Sequence, residues 1–153
     1  QAAYRLKLFG IEPRIALLSH SNFGSHETRG SNKMRQVREL LLKRKPDLNV
    51  DGEMQGDTAW DEALRQRIMP GSTLSGRANL FVLPNLDAAN ITYNMVRVVT
   101  DGVAIGPILM GISKPVHILT TSATPRRVVN MTAIAAVDAQ IRAQLEAEKA
   151  SLG

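Results

Sequence analysis

The sequence predicts an α/β protein, a three-layer α/β/α arrangement around a mostly parallel sheet. Two observations carry this. Short apolar runs of strand character alternate along the chain with segments whose apolar residues recur at steps of three and four. Strands that alternate with helices pair in parallel, because the helical crossovers return the chain to the same sheet end and cover both faces. The length of 153 residues suits one such domain, or two small lobes sharing a cleft. No internal repeat and no linker-like stretch interrupts the pattern, so one compact unit is expected.

Gln1–Gly10 reads as the last turns of a helix, and Gln1 is not an initiator methionine, so a fragment of a larger protein is expected. Arg14–Ser19 (RIALLS) is an apolar run read as a buried strand, followed by the Gly/Ser/Asn loop His20–Gly30. Met34, Val37 and Leu41 mark a helix that stops at Pro46. Leu48–Val50 is a brief strand. Asp57 is placed to N-cap the next helix, whose stripe is Trp60, Leu64 and Ile68. Ala78–Leu83 is a strand closed by Pro84, and Ala88, Ile91, Met95 and Val98 mark a helix ending near Asp101-Gly102. Val103–Met110 reads as a strand entering a loop at Gly106-Pro107, and Val116–Leu119 as a last short strand. Thr124 then caps a long helix with Pro125 at its first position and Met131, Ile134, Val137, Ile141 and Leu145 as its core stripe.

Composition narrows the function classes. With no cysteine, a disulfide scaffold, a thiol nucleophile and a cysteine-ligated metal centre are excluded. No apolar run reaches the roughly 18 residues of a membrane span, so no membrane partner is expected. The net charge of +5 is uneven: Gln1–Lys45 holds ten Lys/Arg against three acids, and Pro46–Glu62 holds six acids and no base. The basic run Lys43-Arg44-Lys45 carries no interleaved aromatic, so it reads as a solvated helix end suited to the dipole, not as a nucleic-acid interface.

Gly102, Gly106 and Gly111 have neither dinucleotide nor P-loop spacing. His20 and His26 share a loop without a third ligand placed by periodicity, so no metal site is expected. Adjacent strand residues point to opposite faces, which also weakens a Ser/His pair there. The segment Ser21-Asn22-Phe23-Gly24-Ser25 sits at the carboxyl end of a strand, where open α/β sheets bind ligands. It offers two hydroxyls, an amide and a glycine that lets backbone approach an anion; the plainer reading is a polar loop that only turns the chain. At Thr124-Pro125-Arg126-Arg127 two arginines occupy a first helical turn, where cations are disfavoured. Either they reach into water, or a bound anion or a facing acid neutralises them.

The ordered blocks ALLSHSNFGS (16–25), VDGEMQGD (50–57), GRANLFVLPNLDAANITYN (76–94), AIGPILMGISKPVHIL (104–119) and RRVVNMTAIA (126–135) resemble the phosphotransacetylase family. Within it they are most similar to the C-terminal phosphotransacetylase-like module of the hybrid NADP-dependent malic enzymes of bacteria. The resemblance implies a cleft between two lobes, in a fold similar to that of isocitrate and isopropylmalate dehydrogenases. The chain would be the C-terminal half of the module, with the malic catalytic domain absent. Residues from about 10 to 115 would form one lobe, and 116–153 the last strand and a helix returning to the other.

Working members of the family usually carry a Ser-Arg pair after the last short strand, then an aspartate proposed to activate the CoA thiol. Thr120 and Thr121 stand at the first two positions and Arg127 at the third. A guanidinium cannot accept a proton at usable pH. The resemblance therefore implies a chain without catalytic residues that binds acetyl-CoA, or another CoA-type ligand, as an allosteric effector. The effector residues would be Ser21, Asn22, Gly24, Ser25, Thr120, Thr121, Arg126 and Arg127. It further implies a homodimer within a larger cytoplasmic oligomer and no cofactor in this chain, with NADP and Mg²⁺ or Mn²⁺ in the malic domain. An active phosphate acetyltransferase and a purely structural dimerisation module are the alternatives.

Overall fold

The computed structural model describes residues 1–100 and 102–151. The chain divides into two compact units, Gln1–Val96 and Arg97–Gly153, where the even sequence pattern suggested one. The division falls after Val96, upstream of the boundary near 115 expected from the family.

The first unit carries α1 (Ala2–Leu8), β1 (Ile15–Leu18), α2 (Arg29–Arg44), β2 (Val50–Met54), α3 (Gly56–Trp60), α4 (Glu62–Ile68) and β3 (Leu80–Val82). Its sheet is parallel throughout, in the order β2-β1-β3, with Ile15 opposite both Val50 and Leu80. The period-two alternation of β1 sends its side chains to two separate cores. Ile15 and Leu17 pack with Val50 and with Met34 of α2, flanked by Ala3 of α1. Ala16 packs on the other face with Met54, Leu74, Ala78 and Ala59 of α3. Helices thus cover both faces, as the alternation predicted. The start of α2 is fixed by a reciprocal cap, in which Ser31 N donates to Thr28 Oγ1 (3.3 Å) and Thr28 N to Ser31 Oγ (2.9 Å).

Three details of this unit differ from the sequence reading. The second strand is not Leu48–Val50 but Val50–Met54, with every residue buried, Asp51 and Glu53 included. Asp57 does not begin a single helix: Gln55 precedes α3, and Asp61 caps α4 by accepting from Leu64 N at 3.1 Å. The stripe of Trp60 and Ile68 faces outward, and Thr58, Ala59 and Arg65 are the buried residues of the two helices. Trp60 stacks on Phe81 with centroids 6.2 Å apart, and the Arg77 guanidinium lies 4.8 Å from its ring.

Helix α5 (Leu86–Val99) runs across the division and buries no residue, so the expected stripe of Ile91, Met95 and Val98 is exposed. Its expected end at Asp101 lies outside the described residues. In the second unit, 103–110 and 116–119 form no strand among the described residues. Gly106 adopts φ +136, a conformation outside the strand region, and the segment is held by side chains instead. Helix α6 (Pro125–Ser151) starts as predicted, with Arg127 N donating to Thr124 Oγ1 (3.3 Å). Its buried positions are Met131 and Asp138 rather than the full stripe, since Val137 and Leu145 are exposed. Arg142 pairs with Asp138 at 3.5 Å and donates to the carbonyls of Ile112 and Ser113.

Candidate functional site

The loop after β1 is assembled from the carboxyl end of β2. Glu53, with no exposed surface, places its carboxyl group at the loop's centre. Ser19 Oγ donates to it at 2.5 Å, Ser21 Oγ at 3.3 Å and Gly24 N at 2.7 Å, while Phe23 N donates to the Glu53 carbonyl at 2.7 Å. Gln55 completes the grip: Asn22 Nδ2 donates to its side-chain oxygen (2.9 Å), and Gln55 Nε2 donates to the His20 carbonyl (2.8 Å).

The remaining loop amides are engaged as well. Ser21 N donates to Ser19 Oγ, Asn22 N to Ser25 Oγ, Ser25 N to the Asn22 carbonyl and His26 N to Ser21 Oγ. Every backbone donor from Ser21 to His26 therefore has a partner inside the chain. The expectation that Gly24 opens the backbone to an anion is corrected here, because its N–H is taken by Glu53. Its glycine identity has a different cause: φ is +86, and a Cβ there would lie 2.7 Å from Arg35 Nη1. What the loop can offer a ligand is side chains. The sequence pattern does not point to Glu53, because a strand ending at Val50 leaves it outside the sheet, whereas β2 runs to Met54.

The other candidate residues belong to the second unit. Thr120 and Thr121 are exposed, and Thr120 Oγ1 lies 3.0 Å from Ser122 Oγ. Arg126 is exposed at the first turn of α6. Arg127 is half-buried and has a partner within its own unit. Its Nε and Nη2 both donate to the Gly106 carbonyl, at 2.9 and 2.6 Å, so it fastens the strand-free segment to α6. Arg127→Ala should thus cost about 1–3 kcal/mol, the scale of a hydrogen bond to a charged group. It should also speed amide exchange around residues 106–110. Unchanged exchange and thermal midpoint would refute this role.

Among the described residues no three His, Cys, Asp or Glu side chains could hold a metal ion. Asp51, also buried, lies opposite Ala16 in the parallel register. Arg38 Nε (2.7 Å), Gly52 N (2.8 Å), Ser72 Oγ (2.7 Å) and Thr73 N (2.8 Å) donate to it. Burial alone would raise its pKa, but these hydrogen bonds and the Arg38 charge outweigh it and hold the carboxyl below its ordinary value.

Parallel strands covered by helices on both faces define the α/β class. Residues 1–136 match the phosphate acetyl/butaryl transferase family, and the chain belongs to that family. It is 56% identical over 140 residues to the NADP-dependent malic enzyme of Escherichia coli, covering 91% of this chain and 18% of that one. It is equally 56% identical over 137 residues to the NAD-dependent malic enzyme of Rhizobium meliloti, covering 90% and 18%. A solved phosphotransacetylase from Streptococcus pyogenes superposes with a TM-score of 0.84 at 36% identity, over 90% of this chain and 42% of that one. The chain thus spans about a fifth of the malic enzymes it matches. No described helix is long and apolar enough to cross a membrane.

Proposed function

We propose that the chain is a regulatory, non-catalytic part of a malic enzyme that binds acetyl-CoA as an allosteric effector and joins protomers. The observation that carries the non-catalytic reading is Arg127. It occupies the position where the family resemblance implies a base, and its guanidinium is fastened to the Gly106 carbonyl. Thr121 in place of an arginine removes the group that would hold phosphate. High identity to malic enzymes over nine-tenths of the chain supports the parent. Those two relatives carry NADP and NAD in their names at the same 56% identity.

In this reading malate oxidation, its nicotinamide nucleotide and its Mg²⁺ or Mn²⁺ lie in a separate domain. Acetyl-CoA then lowers the malate reaction. Of the effector candidates, Arg126, exposed at the first turn of α6, carries the charge that suits such a ligand. Arg127 would act by shaping its own segment. The chain, supplied with acetyl-CoA and phosphate, should form no acetyl phosphate in a coupled assay, and with malate and NADP it should form no NADPH. Sustained acetyl phosphate production would favour the phosphate acetyltransferase reading instead.

Self-association is supported by α5, where Leu86, Ile91, Met95, Val98 and Val99 are all more than half exposed. Sedimentation at micromolar concentration should report twice 16.7 kDa. A clean monomer would leave α5 without the proposed role.

A further inference from the structure

A recess of about 230 Å³ in the first unit is lined by Phe23, by Arg35, Arg38 and Glu39 of α2, by Asp51 of β2 and by Met69 after α4. Its volume exceeds the ~150 Å³ of an apolar cavity that accepts benzene. Arg38 is held in place on its wall. The Nε donates to Asp51 Oδ1 at 2.7 Å, and Asp51 also accepts from Gly52 N, Ser72 Oγ and Thr73 N. Four donors fill the acceptor sites of a carboxylate. The two Nη groups of Arg38 have no hydrogen-bond acceptor on Asp51 or elsewhere among the described residues. Arg35, three residues earlier on the same helix face, is different, because its Nη2 donates to Glu27 and Asn32. The recess thus holds one fixed guanidinium with two donors to offer, beside two half-buried apolar side chains, Phe23 and Met69.

We infer that this recess binds a small monocarboxylate with an apolar body, its carboxylate on the Nη pair of Arg38 and its body against Phe23 and Met69. A guanidinium fork matches the two oxygens of a carboxylate, and covering the two apolar side chains removes further surface from water. The charge of the recess selects a single negative charge. Arg38 already faces the Asp51 carboxylate at 2.7 Å, and Glu39 stands on the same wall. A doubly charged phosphate would meet both acids, whereas one carboxylate is balanced by Arg38 and Arg35. The site stands independently of the acetyl-CoA reading.

Sodium benzoate is the probe, titrated into the chain against sodium chloride at equal ionic strength. The amide resonances of Gly52 and Gly71, which also line the recess, should move and saturate. Benzyl alcohol, which has the ring but no carboxylate, should leave them in place. Arg38→Lys keeps a positive charge beside Asp51 but loses the fork. Benzoate should bind that variant about tenfold more weakly, the scale of one hydrogen bond to a charged group. Met69→Trp fills the recess, leaves the Arg38–Asp51 pair intact and should abolish the shifts. Glycine amides that stay in place or move without saturating, equal binding of benzyl alcohol, or wild-type benzoate affinity in either variant would each overturn the inference.

Discussion

Replacing Arg65 with methionine is expected to destabilise the first unit by about 3–5 kcal/mol, the cost of removing one partner from a buried charged network. Arg65 has no exposed surface. Its Nη1 donates to the carbonyls of Thr58 (3.1 Å) and Ala59 (3.3 Å), and its Nη2 to those of Leu74 (3.1 Å) and Gly76 (2.5 Å). Glu62 stands 3.9 Å away and accepts from Gly76 N. One side chain thereby joins α3 and α4 to the turn that leads into β3. Methionine fills much of the volume but takes the guanidinium donors from the Thr58, Leu74 and Gly76 carbonyls, while the Ala59 carbonyl keeps Ala78 N at 3.1 Å. Against a total stability of about 5–15 kcal/mol, the loss is large. Urea unfolding measures it, and a change below about 1 kcal/mol would mean that the carbonyls find other partners.

Asp51→Asn should cost about 3 kcal/mol, toward the lower end of the same range because the partner Arg38 stays partly solvated. Asparagine turns an NH₂ toward donors that the carboxylate accepted from both sides. The effect also has a pH signature. The folded-state pKa of Asp51 is depressed, so its contribution is fully present above the unfolded value of about 3.9. It is lost as pH falls through the lower folded value. The stability gap between wild type and variant should be constant near neutrality and should close only in strong acid. A gap that instead widens on acidification would contradict the depressed pKa.

The same two carboxyls explain why part of the fold was illegible. The strand β1, the helix of Met34 and Val37, and the capped helix at Thr124 follow from periodicity and caps that act over a few residues. Strand β2 does not. A pattern rule sends Asp51 and Glu53 to solvent, and both are buried because donors come from elsewhere in the chain. Arg38 lies 13 residues from Asp51, and Ser19, Ser21 and Gly24 lie 34, 32 and 29 residues from Glu53. The polar loop at 21–25 was legible by its place after a strand, but not the internal carboxyl that accepts from Gly24 N. The break between α3 and α4 was hidden by three acids, Asp57, Asp61 and Glu62, any of which suits a helix start. The family resemblance placed Arg127 where a base is expected, but the Gly106 carbonyl that holds it follows only from tertiary structure.

The central claim is that this chain binds acetyl-CoA without acting on it. Calorimetric titration of acetyl-CoA into the chain, with phosphate absent, tests that most directly. A saturable isotherm with one ligand per chain and the thioester recovered intact is the predicted result. Heats no larger than dilution across the titration would contradict it.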